Sequence, residues 1–367
     1  DLHKAIRRQR QMCIRDRTCI IKNKYGKVEM STSFSSNHNF SKGFFYVADG
    51  TFNFYDTEKK TAYQDCYASL NAGKTLGIGN YDSANIIHSN GKFYLLVGTS
   101  TSNRDHFYIV DAKTLYYENS AVVGANLSGL TILNEQYGLV TGDGIRRIDL
   151  KSLNNVRIKN ERLLCFYNSI IYNGKVLSND TYKDESKVKY YDVNELIAAK
   201  EGEAPAVTEL DIIQKQKINF VLAKDGNVYT LESADNRCNI VKIKNDFTLE
   251  KVFANFQPAK GPYHSSPTIG MVASETENII YLVSTDGAIY KYILGDSDSL
   301  KAPFIAAESG VSITAPLQLN QQSGELYVTY TEERKDESKI VVYSKDGKVL
   351  HTVDCGESVP SQILFNN

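Results

Sequence analysis

One strand pattern recurs seven times along this chain, and the repetition constrains the fold more than any other feature of the sequence. Each copy has a short apolar strand, a turn, a second strand ending in aliphatic or aromatic residues, and a polar turn. Asp56 in the first copy and Ser344 in the last are 288 residues and six intervals apart, which gives a mean period of 48. This period is typical of four-stranded β-propeller blades. The seven third strands are Thr51–Asp56, His106–Leu115, Gly144–Leu153, Lys187–Leu196, Asn239–Leu249, Ala288–Asp296 and Lys339–Val349.

A partner strand lies one hairpin before each third strand. Three of these partners follow the dipeptides Asn90-Gly91, Asn173-Gly174 and Asp225-Gly226, which favour the positive φ of tight hairpins. An inner strand must therefore precede each hairpin. Six such strands are found, namely Ala84–Ser89, Gly129–Asn134, Asn168–Asn173, Ile218–Ala223, Thr268–Ser274 and Ala315–Asn320.

The seventh inner strand is found at the other end of the chain. The apolar run Val359–Phe365 follows the last outer strand, Val349–Asp354, and can pair with the blade that begins at Gly43. We therefore predict an all-β fold, a seven-bladed β-propeller of four-stranded blades closed by the C-terminal strand pairing into the first blade. A frayed C-terminal tail is the alternative for this run, and one or more β-sandwiches are the alternative for the fold.

The composition agrees with a β-rich fold. The chain has 24 Tyr and 15 Phe but no Trp and only 7 Pro, a balance that suits strands with half-buried aromatic residues. Asp192–Glu203 is the only helix-like stretch, which we predict to be a short insertion after the fourth third strand.

Charge and cysteine content exclude several classes of protein. The 42 Lys and Arg nearly balance 43 Asp and Glu, and the formal net charge of −1 draws the chain to neither nucleic acid nor an anionic membrane. The six cysteines form no C-x-x-C pair, so we expect free, mostly buried thiols. No run approaches the roughly 18 apolar residues of a membrane span, so no transmembrane segment is predicted.

The N-terminal segment differs from the rest of the chain. Asp1–Arg17 is strongly basic, and its string QMCIRDR resembles translated sequencing-adapter sequence. We expect residues 1–25 to be a disordered or artefactual extension and residues 26–367 to form one propeller domain. A basic nucleic-acid-binding arm is the alternative for the extension. The segment has no apolar h-region, so any secretory signal is absent from this chain.

Several stretches resemble a known family. They are Gly50–Ser100, Gly261–Asp296 and two shorter stretches of blade seven, with Lys74–Gly77 and Ser266–Gly270 as the more specific strings. They resemble YncE-like seven-bladed propellers, and most closely the Bacteroidetes surface propellers of an uncharacterised-domain family that includes BtuG-type cobalamin-binding lipoproteins. The resemblance covers blades one, two, six and seven.

This resemblance implies a cellular location and a function. It implies an exported lipoprotein on the outer-membrane surface or in the periplasm. It also implies ligand capture, with a corrinoid such as cobalamin as the named candidate ligand and an outer-membrane transporter as the candidate partner.

No catalytic motif stands out in the sequence. We find no G-x-S-x-G, H-E-x-x-H or G-x-x-x-x-G-K-[ST] motif, and the six histidines lie far apart. We therefore predict no catalytic residues, no metal site and no cofactor. The expected function is that of a non-catalytic, monomeric cell-surface protein that captures a small molecule or glycan, or docks a partner protein, on one face of the propeller. A propeller enzyme, such as a lactonase or a quinoprotein-type dehydrogenase, is the alternative.

Candidate binding residues follow from propeller geometry. Loops between second and third strands, and the segments that lead into the inner strands, converge at one end of the central channel. Tyr and Arg are over-represented in binding surfaces, so their presence in these loops favours a ligand site. The candidates are Tyr81, Asp82, Arg104, Tyr167, Tyr182, Arg237, Tyr263, His264 and Arg334.

Overall fold

The computed structural model describes most of the chain, and antiparallel β-sheet dominates it. The described residues are 19–22, 28–31, 39–74, 76, 83–98, 104–124, 127–142, 144–159, 169–179, 186–203, 205–214, 219–233, 238–254, 259, 270–332 and 337–366. A two-stranded hairpin, β1 (Cys19–Lys22) and β2 (Val28–Ser31), precedes the blades. Its strands fall on either side of the boundary predicted at residue 25.

Seven sheets follow, one for each predicted blade. Blades one to three contain β3 (Gly43–Ala48), β4 (Thr51–Asp56) and β5 (Thr61–Tyr63); β6 (Ser83–Ser89), β7 (Lys92–Gly98), β8 (Asp105–Asp111) and β9 (Tyr117–Gly124); and β10 (Leu127–Ile132), β11 (Tyr137–Gly142), β12 (Gly144–Asp149) and β13 (Asn155–Lys159). Blades four and five contain β14 (Ile170–Tyr172), β15 (Lys175–Asn179), β16 (Ser186–Asp192) and β17 (Val207–Gln214); and β18 (Val221–Leu222), β19 (Val228–Ser233), β20 (Cys238–Ile243) and β21 (Leu249–Ala254). Blades six and seven contain β22 (Met271–Ala273), β23 (Ile279–Val283) and β24 (Ile289–Ile293); and β25 (Val311–Ile313), β26 (Gln318–Leu319), β27 (Leu326–Glu332), β28 (Glu337–Tyr343) and β29 (Val349–Gly356).

The C-terminal strand closes the ring, as the strand count predicts. β30 (Pro360–Leu364) pairs antiparallel with β3 of blade one, with Phe45 opposite Leu364 and Val47 opposite Gln362. Blade one is therefore a four-stranded sheet in the order β30-β3-β4-β5. The seven-bladed, C-terminally closed propeller is confirmed.

Two blades differ in detail from the repeat. In blade six, Ile305 forms an isolated bridge with Ile289 and takes the outer position beside β24. In blade seven the predicted inner strand Ala315–Asn320 is wrong in extent, because the inner position is divided between β25 and β26, which both pair with β27. Pro316 lies between them, and proline has no N–H to donate to a strand ladder.

The helix prediction was partly wrong. The predicted helix at Asp192–Glu203 exists but is shorter, as α2 (Val193–Ala198), and Asp192 caps its N-terminus by accepting from the backbone N–H groups of Asn194 and Glu195. A second helix, α1 (Cys66–Leu70), follows blade one and was not predicted. Its sequence CYASL has weak helix propensity, and the buried side chains of Cys66 and Tyr67 hold it against the sheet.

Hydrophobic packing holds neighbouring blades together. The described residues form seven clusters of buried side chains, and each cluster lies between two adjacent blades. The junction of blades seven and one contains Phe44, Tyr327 and Phe365, whose rings pack edge to face at 4.9–5.0 Å. The core is therefore a ring of interfaces between sheets.

The two ends of the propeller are built differently. At one end, which we call the turn end, lie the hairpins between first and second strands and the turns between third and fourth strands. Asp111 is typical of these turns: its Oδ1 accepts from the backbone N–H groups of Lys113 and Thr114 at 3.1 and 2.8 Å, and Leu115 follows with a φ of 58°. The other end, which we call the crossover end, carries the second-to-third-strand loops and the crossings from each outer strand to the next inner strand.

Candidate functional site

Most of the residues predicted to bind a ligand cannot be placed. Tyr81, Asp82, Tyr167, Tyr182, Arg237, Tyr263, His264 and Arg334 lie outside the described residues. Arg104 is described, and its exposed side chain directly precedes β8 at the crossover end. The nine predicted residues therefore stay a prediction.

A cavity of about 500 Å³ opens at the same crossover end, between blades seven and one. We call it the closure groove, because the pairing of β30 with β3 brings its two sides together. Its polar lining comes from the blade-one hairpin, from the end of β5 and from the crossing between β29 and β30. Its lining includes Tyr46, Asp49, Thr51, Gln64, Asp354, Cys355 and Ser358.

Local backbone geometry positions both sides of the closure groove. Asp49 and Gly50 have φ values of 47° and 71° and form a two-residue hairpin between β3 and β4. On the opposite side, the Oδ1 of Asp354 accepts from the backbone N–H of Gly356 at 2.9 Å. Two carboxylates separated by some 300 residues of chain are thereby held beside one cavity.

The buried wall of the closure groove carries neutral groups. Tyr46 is only 4% exposed, and no described residue makes a hydrogen bond with its hydroxyl. Burial, together with the neighbouring Cys355 thiol, raises the pKa of Tyr46 well above its usual value. Burial also raises the pKa of Cys355 to about 12. Both groups are protonated at neutral pH and can donate hydrogen bonds.

The exposed rim of the closure groove is anionic. Asp49 and Asp354 are exposed, and among the described residues neither forms an ion pair. No Lys or Arg is among the described residues that line the cavity. Thr51, Gln64 and Ser358 add hydroxyl and amide groups to this rim. The groove therefore offers two carboxylates, neither in an ion pair among the described residues, beside several neutral hydrogen-bonding groups.

A second cavity, of about 220 Å³, lies between blades five and six at the turn end. Asp225 accepts there from the Lys242 ammonium and from the Tyr229 hydroxyl, each at 2.9 Å. Burial raises the pKa of Asp225, but hydrogen bonds from Lys242, Asn227 and Tyr229 outweigh it and hold the pKa below its usual value. These polar groups satisfy one another, which is typical of a structural network.

Histidines and acidic residues form no metal centre in the part of the chain that the structure describes. No group of three or more His, Cys, Asp or Glu side chains there is placed to hold an ion. His88 packs against Phe93 at 5.1 Å, burial lowers its pKa, and its Nε2 has no hydrogen-bond partner among the described residues. His106 stacks on Tyr108 at 5.9 Å. No described helix is long and apolar enough to cross a membrane.

Sequence reasoning did not find the closure groove. Its lining comes from three separate stretches of chain, none of which carries a motif. One signal was present: the predicted pairing of Val359–Phe365 with the first blade places the segment before it next to the Asp49-Gly50 turn. This pairing alone would have predicted that the carboxylates of Asp49 and Asp354 lie at the same end of one blade junction.

Comparisons with known proteins identify the family and the fold. A family model described as a domain of unknown function, DUF5074, matches residues 40–366. A functionally unknown protein from Desulfotomaculum acetoxidans DSM 771 is similar in structure, with a TM-score of 0.56 and 13% identity over 89% of this chain and 99% of that chain. The Dos1 propeller is similar with a TM-score of 0.51 and 9% identity over 86% and 85% of the two chains. No curated protein matches the chain. At these identities the structural likeness shows the fold alone.

Proposed function

We propose that this chain, which belongs to the DUF5074 family of domains of unknown function, is a non-catalytic binding module that captures a small molecule or glycan at the crossover end. The observation that carries the proposal is the closure groove, a cavity lined by Tyr46, whose hydroxyl has no hydrogen-bond partner among the described residues, and by two carboxylates that form no ion pair there. A cavity with a few convergent polar groups is the usual form of a small-molecule site.

The chemistry of the closure groove favours binding over turnover. The Cys355 thiol, with a pKa of about 12, is a poor nucleophile at neutral pH. It donates weakly to the Val353 carbonyl at 3.7 Å, and no described base is paired with it. The Tyr46 hydroxyl is protonated for the same reason of burial. Groups held in this state serve as hydrogen-bond donors to a ligand.

The cellular setting is proposed from the family resemblance. We place the protein outside the cytoplasm, as a lipoprotein on the outer-membrane surface or in the periplasm, with a signal segment upstream of this chain. A corrinoid is the leading named ligand on the same ground, and an outer-membrane transporter is the candidate partner. The predicted loop residues, Arg104 among them, would then contribute to the same crossover end.

A ligand screen tests the binding function. Thermal unfolding is measured with cobalamins and with a panel of neutral, cationic and anionic oligosaccharides. A binder is stabilised by mass action, by about 2.7 kcal/mol at a ligand concentration 100 times Kd. Combined alanine substitution of Arg104, Tyr182, Arg237 and Arg334 separates a site on the predicted loops from one confined to the closure groove. Turnover in a parallel lactone and alcohol panel would contradict the proposal and favour the propeller-enzyme alternative.

A further inference from the structure

The closure groove differs from other acidic places in the molecule in its charge balance. Asp111, Asp192 and Asp225 each lie within 4 Å of a lysine ammonium. Asp49 and Asp354 have no such partner among the described residues, although ring closure brings both to one cavity. Two uncompensated carboxylates beside a cavity attract a cation, and the attraction is stronger where the surrounding protein excludes water.

A second observation, independent of these charges, points to a ligand. Tyr46 lines the same cavity, is 4% exposed, and has a hydroxyl that no described residue contacts by a hydrogen bond. This hydroxyl is therefore available to donate to a ligand atom in the cavity.

The cation is better matched to an organic ammonium than to a metal ion. Calcium takes six to eight oxygen ligands and magnesium demands an octahedral set, whereas the described lining supplies two carboxylates. No described cluster of three metal-ligating side chains includes them. An ammonium group carries three donors, which two carboxylates and a hydroxyl or amide oxygen can accept.

The size of the cavity leaves room for a larger polar molecule that carries the ammonium. A volume of about 500 Å³ lies in the range of small-molecule sites, well beyond that of one ammonium group. The remaining lining includes the hydroxyls of Thr51 and Ser358 and the amide of Gln64. Such groups pair with ligand hydroxyls, which an alkyl amine lacks and a sugar has.

We propose that the closure groove binds an amino-sugar unit, with the ammonium held between Asp49 and Asp354 and a sugar oxygen accepting from the Tyr46 hydroxyl. This inference rests on the proposed binding function and names the chemical class that this groove takes. It also predicts that anionic saccharides are rejected, because the described lining carries carboxylates and no cationic side chain.

Isothermal titration with two matched hexasaccharides tests this proposal. One is the glucosamine hexamer and the other its fully N-acetylated form, which has the same backbone without the charge; the titration is run at pH 5.5, where the amines are protonated. We expect the glucosamine hexamer to bind at least about tenfold more tightly, because the acetylated form has no ammonium to bond to the carboxylates. An oligogalacturonate of equal length should not bind.

Variants that preserve the fold locate the ammonium. The double variant D49N/D354N keeps every heavy-atom position, and Asn tolerates the positive φ of Asp49. It should lose about tenfold or more in affinity for the glucosamine hexamer and little for the acetylated one. The control D211N/D298N changes the net charge equally at two exposed positions away from the groove and should bind as the unmodified protein does. Y46F should weaken both hexamers by about two- to tenfold.

Each other result overturns the inference. Equal affinity for the two hexamers, or equal losses in D49N/D354N and D211N/D298N, would show that the carboxylates do not hold an ammonium. Binding of Ca²⁺ or Mg²⁺ alone that is lost in D49N/D354N would replace the amino sugar by a metal ion. If neither hexamer binds but another ligand of the screen stabilises the protein, the amino-sugar inference fails while the binding function stands. If nothing in the screen binds, both fail.

Discussion

The closure groove and the cavity between blades five and six contain similar groups in different states. Each cavity lies between two adjacent blades and is lined by a buried tyrosine and by carboxylates. Asp225 and Tyr229 bond to each other, and Lys242 completes the network. Tyr46 and Asp354 make no comparable contact among the described residues. The two cavities contain similar residue types. What distinguishes a structural network from a candidate binding surface is whether its carboxylates and hydroxyls bond to other side chains of the protein.

The two junctions also differ in how the chain holds them. Blades five and six follow each other directly in the chain, and Asn219 ties them by exchanging two hydrogen bonds with the backbone of Met271. Blades seven and one meet through the pairing of β30 with β3. The closure junction therefore depends on a strand that belongs to blade one in space but follows blade seven in sequence.

The largest effect is expected from removing that strand. Deletion of residues 359–367 takes away the ladder with β3 and the buried side chains of Ile363 and Leu364. Cooperative thermal unfolding, followed by circular dichroism, should be lost together with solubility. Deletion of residues 1–25 is the control and should leave the Tm nearly unchanged. Equal tolerance of both deletions would contradict closure by β30.

A smaller effect is expected when one carboxylate is neutralised at each junction. D225N removes the charge that Lys242 and Tyr229 share, and should lower the free energy of unfolding by about 1–2 kcal/mol. D354N removes a charge that has no ion-pair partner among the described residues, and should change the free energy of unfolding by less than about 0.5 kcal/mol. Urea unfolding at pH 7 measures both. Similar losses of unfolding free energy in D225N and D354N would show that the carboxylates of the two cavities do not differ in their structural role.

The tyrosines of the two cavities, Tyr229 and Tyr46, allow the same comparison. Y229F removes the hydroxyl that donates to Asp225 and should cost about 1 kcal/mol. Y46F removes a hydroxyl with no described partner, and the free energy of unfolding should stay within about 0.5 kcal/mol. Both can be read from the same urea curves. A cost for Y46F as large as that for Y229F would show that the Tyr46 hydroxyl already has a structural partner.

The smallest effect concerns pH. The folded-state pKa of Asp225 lies below its unfolded value of about 3.9, so its stabilising contribution is fully present above that value. It is lost as the pH falls through the folded pKa. The difference in unfolding free energy between the unmodified protein and D225N should therefore shrink below about pH 4. A difference that grows on acidification would show that the pKa is raised.

The repeat made the fold predictable, while the sites depend on contacts that it does not encode. Alternation and turn residues located seven blades and the closing strand, because each blade satisfies its own ladder locally. The helix at Cys66–Leu70 was missed since tertiary burial, not propensity, stabilises it. The closure groove was missed because Asp49 and Asp354 become neighbours only through ring closure. The loop residues chosen from composition, apart from Arg104, lie outside the described residues.

Ring closure by β30 has a consequence for synthesis on the ribosome. The Ser361 hydroxyl donates to the Val47 carbonyl, 314 positions earlier in the chain. At about 5–20 residues per second, some 15–60 s pass between translation of these two positions. During that interval β3, with the adjacent aromatic residues Phe44 and Phe45, lacks its inner neighbour, and any folded part of blade one presents a hydrophobic strand edge. Blade one is the first blade to be translated and the last to be completed, so a nascent chain needs protection at this edge until translation has passed Leu364.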